Sequence, residues 1–383
     1  MAKHAILSAS GASRWMACTP SAVLEQQFEN KSSVFAEEGT LAHELGELTL
    51  KLNLGEITKR TFNSKFKKIQ ENKLYSADMP DYVQTYVDTC LERVSEAKAT
   101  TPDALFKIEQ RLDFSEWVPD GFGTGDFVII ADGTMEVCDL KYGKGVPVSA
   151  NNNKQMMLYA LGAIAEFNFL YDIQKVRMTI IQPRLDNIST FEVTTEDLLK
   201  WAEDYVRPRA ELAIKGKGEF CAGDHCKFCR AKAVCRARAE KNMELAKYDF
   251  EEPALLDNND VAYILSKIDE LVNWAGDVKD FALEQALNGE EYDGFKVVEG
   301  RSNRKYADTE AIVEILRDNN FNDPDIFKPS ELITLTNMEK LVGKKKLTEL
   351  IGDYIVKPPG KPTLVPITDK REPYNPVKAD FMD

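Results

Sequence analysis

Four short stretches of the chain hold residue types that can do chemistry together. Asp126 follows Gly125, and Asp139-Leu140-Lys141 comes thirteen residues further on. Residues i and i+2 of a strand share a face, so Asp139 and Lys141 point the same way. Two carboxylates and a lysine on one face suit a phosphodiester. The carboxylates supply hard oxygens for Mg²⁺ or Mn²⁺, and the lysine polarises or helps to deprotonate an attacking water. The metal answers the charge that develops on the phosphoryl oxygens. Taken alone, an Asp-x-Lys tripeptide is common and serves equally well as a solvated strand end. Two further features add weight. Gln155 and Tyr159 stand at i and i+4 of a helical stretch and so face together. His43, one of three histidines, follows Gly39 and precedes Glu44 and Glu47, and a neutral imidazole can complete a metal site.

The second constellation is sulfur. Cys226-x2-Cys229-x5-Cys235 supplies three thiolates, and Cys18, far upstream, is an attractive fourth. Spacing alone fits a Zn²⁺ site from the same trio with His225 or Cys221 just as well. Cys90 and Cys138 lie at apolar periodic positions and read as core. The basic flank Lys227, Arg230, Lys232, Arg236 and Arg238 is either a solvated helix face or a phosphate contact.

The elements that must hold these residues follow from periodicity. Helices are expected over 39–52, 81–97, 155–167, 195–215 and 261–287. Strands are expected over 105–109, 126–130, 135–141, 176–182, 190–193 and 294–298. The turn at Asp132-Gly133 makes 126–130 and 135–141 a hairpin. This order suits an α/β core with a mixed sheet. The length of 383 residues allows two or three domains, with a boundary near 250. At 43% hydrophobic and 29% charged, the chain can build a core, and wholesale disorder is excluded. Leu158–Tyr171, the longest nearly uncharged apolar run, is too short to span a bilayer. The N-terminus lacks a signal-peptide core, so the expected place is the cytoplasm, where seven cysteines argue for ligation rather than disulfides. The net charge of −14 argues against a broad nucleic-acid-coating surface and leaves room for a local one.

Together, the order Gly-x-x-x-His43, Gly-x-Asp126, Asp139-x-Lys141 and Gln155-x-x-x-Tyr159 resembles the RecB-type nucleases of the PD-(D/E)xK superfamily. The resemblance implies a restriction-endonuclease-like α/β core over 1–250, its mixed sheet flanked by helices, and a C-terminal α+β extension over 251–383. It implies that His43, Asp126, Asp139 and the carbonyl of Leu140 bind Mg²⁺ or Mn²⁺ and that Lys141 is catalytic. Gln155 and Tyr159 would then orient the lysine or contact phosphates, and Glu109 matches an acidic position near the metals. One upstream cysteine with a downstream trio is similar to the iron–sulfur nucleases of the AddB and CRISPR-associated exonuclease type. That implies a [4Fe–4S] cluster on Cys18, Cys226, Cys229 and Cys235, stapling the two ends of the domain.

The whole arrangement also resembles phage- and prophage-borne members of that superfamily. What it implies is a DNA exonuclease for recombination or repair in a bacterial host cell, acting on DNA ends. Its implied partners are single- or double-stranded DNA and a phage single-strand annealing protein, with no membrane. Arg301, Arg304 and Lys305 form a basic loop that would wall a DNA groove. Two other classes of function stay open on the residues alone. One is a DNA-end-binding or adaptor protein whose catalysis is incidental. The other is a zinc-containing DNA-binding protein that does not cleave.

Overall fold

A computed structural model describes residues 5–30, 33–244, 256–298, 310, 317–318, 334–351 and 354–355. The chain divides into two units, Met1–Leu256 with Glu270–Val278, and Asp257–Asp269 with Lys279–Asp383.

The first unit is built on a five-stranded sheet in which spatial order equals chain order. The strands are β1 (Leu105–Asp113), β2 (Phe122–Ala131), β3 (Thr134–Leu140), β4 (Lys175–Gln182) and β5 (Asn187–Thr194). β1 and β3 each run antiparallel to β2, β3 and β4 run parallel, and β5 returns antiparallel. The parallel pair needs a crossover, and α6 (Lys154–Tyr171) supplies it. Asn153 caps that helix by accepting from the amides of Gln155 and Met156.

Helices cover both faces of the sheet, which is why its central strands are apolar at successive positions. One face packs Val128, Ile130, Val137, Met178 and Ile180 against α6 and against α1 (Ala12–Ala17). The other packs Phe127, Ile129, Cys138, Leu140 and Ile181 against α3 (Val34–Asn53) and α5 (Met79–Thr100). Between α3 and α5 lies α4 (Lys59–Gln70), a helix the periodicity reading passed over. Its lysines outnumber its apolar residues, which hides the stripe Phe62, Phe66 and Ile69.

The expected helix over 195–215 is three pieces, α7 (Thr195–Trp201), a wider turn over Ala202–Val206, and α8 (Arg207–Ala213). The wider turn absorbs Pro208, whose missing amide cannot continue the ordinary ladder. The cysteine segment leads into α9 (Arg236–Met243).

In the second stretch of chain, the single helix expected over 261–287 is broken at Ser266–Lys267 into α10 (Asn258–Leu265) and α11 (Ile268–Leu287). Asp257 caps α10 by accepting from Asn259 and Asp260. Further along, α12 (Leu335–Val342) and α13 (Lys344–Ile351) form a pair of short helices. The strand expected over 294–298 does not form. Gly294 sits in a turn at φ 81, and residues 295–298 are extended without a pairing strand among the described residues. A lone strand satisfies none of its ladder bonds. Arg301, Arg304 and Lys305 lie outside the described residues. No helix among the described residues is long and apolar enough to cross a membrane.

Candidate metal and catalytic site

The site forms where the sheet splits. β2 and β3 pair from Ala131↔Thr134 up to Phe127↔Cys138 and then part company. β2 continues outward with β1 as far as Phe122↔Asp113, while β3 continues with β4 to Leu140↔Ile181. Asp126 and Asp139 are the first residues past the split. Asp126 fills the gap itself, its Oδ2 accepting from the Leu140 amide at 2.7 Å. In a strand the N–H and C=O of one residue point to the same side, so the Leu140 carbonyl is aimed toward β2 as well.

The split lets side chains from both faces of the sheet converge. From α3, His43 Nδ1 reaches Asp126 Oδ1 at 3.2 Å. From the α6 side, Gln155 Oε1 lies 3.3 Å from Lys141 Nζ, and the Gln155 amide donates to Tyr159 Oη at 3.1 Å. Lys141 Nζ lies 2.7 Å from Asp139 Oδ2. That contact is an ion pair out of hydrogen-bond alignment, and Asp139 Oδ2 is sealed from solvent with no aligned donor among the described residues.

Close approach around the site depends on glycines. A Cβ added to Gly123 would lie 2.5 Å from Tyr159 Cε1, so the tyrosine ring rests on the bare backbone of β2. A Cβ on Gly125 would meet Leu112 at 2.8 Å. On α3, Gly46 holds the helix against Tyr86 and Leu140, whereas Gly39, which the sequence motif singled out, has open space around it.

Glu109 completes the group. It stands opposite Asp126 in the β1–β2 register, between Ile108↔Phe127 and Gln110↔Gly125, and its backbone is left-handed at φ 50. A non-glycine residue held there in mid-strand stores about 1–3 kcal/mol of strain. The turn aims its carboxylate inward. Ligand atoms of His43, Glu109 and Asp126 lie within 4.8 Å of one another, the only such triple among the described residues.

The electrostatics are those of a site short of positive charge. Burial raises the Glu109 carboxyl, Asp126 raises it further, and it reaches about 7. Burial likewise raises Asp139, helped by Asp126. Burial alone would discharge His43, but Asp126 and Asp139 outweigh it and hold the imidazole near 9. Lys141 is treated the same way, with Asp139 overcoming its desolvation and keeping it an ammonium. Two protonated side chains, His43 and Lys141, thus face these carboxylates. The donor set, three carboxylates and one imidazole, fits a hard divalent ion, which would displace the proton from His43.

The cysteines gather separately. Cys18, Cys226, Cys229 and Cys235 line one cavity of about 20 Å³, with Cys221 and His225 at its wall. The Cys221 amide points at Cys18 Sγ from 3.5 Å and the Gly223 amide at Cys226 Sγ from 3.4 Å. Burial, then Glu25, pushes the Cys229 thiol up to about 12. A tetrahedral Zn²⁺ with bonds of about 2.3 Å needs sulfurs about 3.8 Å apart. No three ligand atoms here come within 4.8 Å of one another. His225 Nε2 is taken up by the Cys221 carbonyl at 2.8 Å. Cys18, Cys226, Cys229 and Cys235 thus share the wall of one cavity without closing to zinc spacing.

The basic flank of this segment is largely spoken for. Arg230 donates from its backbone to the buried Glu25 and from its side chain to the Phe28 carbonyl. Lys232 pairs with Asp277 at 2.6 Å. Arg238, 1% exposed, pairs with Glu270 and Asp277. These three hold the fold together rather than forming a solvated helix face. Lys227 and Arg236 stay exposed.

The chain belongs to a family described as a protein of unknown function, DUF2800, which matches residues 4–372. A solved structure titled "Crystal structure of SSO0001" is similar over 50% of this chain and 95% of its own, at 16% identity and a TM-score of 0.22.

Proposed function

We propose that this protein is a metal-dependent DNA nuclease of the RecB-like PD-(D/E)xK type. The observation that carries the proposal is the split in the sheet, which gathers Asp126, Asp139, Lys141, His43 and Glu109 from two faces around an under-neutralised pocket. Asp126, Asp139, Glu109, His43 and the Leu140 carbonyl would hold Mg²⁺ or Mn²⁺. Bound there, the ion supplies charge neutralisation at the phosphoryl oxygens and a more acidic water.

The chain's own residues do the rest. Lys141, held as an ammonium by Asp139, offers donors to the attacking water and to a phosphoryl oxygen, and stabilises the charge that builds there. Gln155 fixes the lysine from α6, and Tyr159 fixes Gln155 in turn. Because Tyr159 lies on the glycine backbone of β2, the relay is rigid. Asp126 ties the two parted strands through the Leu140 amide and so sets the width of the pocket.

Cys18, Cys226, Cys229 and Cys235 would hold a [4Fe–4S] cluster whose role is structural. Thr19 already donates to the Lys217 carbonyl, and Glu25 already joins Arg14 to Arg230, so the cluster would reinforce a contact the chain makes by itself. Anaerobically purified protein should then be brown, absorb near about 400 nm and contain iron, whereas a colourless zinc-loaded protein would overturn that part.

The substrate in this reading is DNA, attacked at ends during phage recombination or repair in the cytoplasm of a bacterial host, with an annealing protein as partner. The deciding assay incubates end-labelled linear and circular DNA, single- and double-stranded, with Mg²⁺ or Mn²⁺. Linear DNA should be degraded by the wild-type protein and spared by Lys141→Ala. Equal degradation by both proteins removes the assignment.

A further inference from the structure

Two groups of cations among the described residues differ. Around the cysteines, Arg230, Lys232 and Arg238 are paired within the fold, as described above. Those of α4 are not. Its sequence, Lys59-Arg-Thr-Phe-Asn-Ser-Lys-Phe-Lys-Lys-Ile-Gln70, carries five cations and no acid, on a chain whose net charge is −14. Lys59, Arg60, Lys65, Lys67 and Lys68 are all exposed, and none has an ion-pair partner among the described residues. A solvated helix face ordinarily interleaves Glu and Lys at i, i+3 and i+4, because like charges at that spacing repel. Here the repulsion is left standing. The helix stays in place through Phe62, Phe66 and Ile69, with Phe62 and Phe66 stacked at 5.6 Å.

This basic helix forms a groove with α3, the helix that carries His43. Lys65 and Lys68, with Ile69 and Asn72, form one side of a cleft of about 460 Å³, and Glu44, Glu47, Leu48 and Lys51 of α3 form the other. Glu47 and Lys51 pair with one another, and their charges are felt by Glu109. The same helix that carries His43 thus walls the groove on its neighbouring face.

Given the nuclease reading, on which this rests, we propose that the α3–α4 groove is the track for the DNA strand leading to the site, with Lys65, Lys68 and Lys51 on its phosphates. Lys65 and Lys68 are three residues apart and emerge on one side of the helix, suited to neighbouring phosphates of a single strand.

The test uses the full chain without added metal and a 5′-fluorescein-labelled oligo-dT of about 20 nucleotides, with binding read by fluorescence anisotropy over a range of salt. Lys65→Glu/Lys68→Glu is compared with Lys200→Glu/Lys215→Glu, which makes the same charge change at two exposed lysines elsewhere. Lys65→Gln/Lys68→Gln is a milder second variant.

The α4 charge reversal should lose at least about tenfold in affinity, and the slope of log K against log salt should fall by about 1.4, two phosphates' worth for a single strand. The glutamine pair should fall between, and the control should match wild type. If the α4 variants match the control, or if the wild-type protein does not bind the oligonucleotide at low salt, the groove assignment is overturned. Metal-dependent cleavage is measured on the same proteins as a separate readout. Wild type that binds through α4 but never cleaves leaves the groove standing and removes the nuclease reading. Wild type that cleaves while the α4 variants bind like the control does the reverse.

Discussion

Strand β3 buries two carboxylates, Glu136 and Asp139, and the fold treats them in opposite ways. Glu136 accepts from Thr179 Oγ1 at 2.6 Å, with the guanidiniums of Arg177 at 3.4 Å and Arg93 at 3.5 Å. Asp139 has one cation, Lys141, and a second carboxylate, Asp126, beside it. Both acids are raised by burial, but around Glu136 the protein supplies the hydrogen bond and the positive charge itself. Around Asp139 it sets a single lysine against two carboxylates. A buried acid whose needs are met holds a structure together, and one left wanting is a place for something from outside. The difference separates a structural ion cluster from a candidate site on the same strand.

The comparison can be broken most sharply by mutation of the two acids. Asp139→Asn and Lys141→Ala should each lower metal-dependent DNA cleavage by about 10³-fold or more, since each removes a group aimed at developing charge. Asp139→Asn should leave the melting temperature unchanged or raise stability by up to about 1 kcal/mol, the usual trade at a strained site. Glu136→Ala should do the opposite. It should lower stability by about 1–3 kcal/mol in urea titration, the range for a hydrogen-bonded charged group. The lower end is favoured because Arg93 and Arg177 are part-exposed and retain Glu96 and Glu192. Its cleavage rate below the melting transition should stay within a few-fold of wild type.

Gly123→Ala sharpens the same contrast at the relay. Its new methyl would drive into the Tyr159 ring, lowering stability by about 1–3 kcal/mol and cleavage together, because Gln155 and Lys141 lose their support. The smallest effect concerns backbone strain. Glu109→Gly should be about 1 kcal/mol more stable than Glu109→Ala in urea titration, because only glycine occupies a φ of 50 without strain.

Much of this was legible in the sequence, and the exceptions have physical causes. Alternating apolar runs gave the strands, and Asp132-Gly133 gave the β2–β3 turn. Asp139 and Lys141 share a face because the strand period is two. Gln155 and Tyr159 share one because they are a helical turn apart. The five-stranded mixed sheet flanked by helices stands as expected. What spacing could not supply is the split between β2 and β3, because it depends on where pairing stops rather than on any residue's own preference. Glu109 was visible through the family resemblance, but its left-handed backbone has no sequence signal. Gly46 and Gly123 were passed over in favour of Gly39, since a glycine that makes room for a ring looks like any other glycine. Helix α4 escaped because its charge masks a stripe of three apolar residues. The strand expected at 294–298 has no partner among the described residues, and β propensity without a partner does not make a sheet.

The most direct test of the account is a calorimetric titration of the metal-stripped protein with Mn²⁺, run beside Asp126→Asn and Glu136→Gln. Wild type and Glu136→Gln should bind the ion alike, and Asp126→Asn should lose at least about tenfold in affinity, in the range that loss of a metal-site group commonly brings. Wild type that takes up no Mn²⁺, or an Asp126→Asn variant that binds it as wild type does, would contradict the assignment of the split sheet as a cation site.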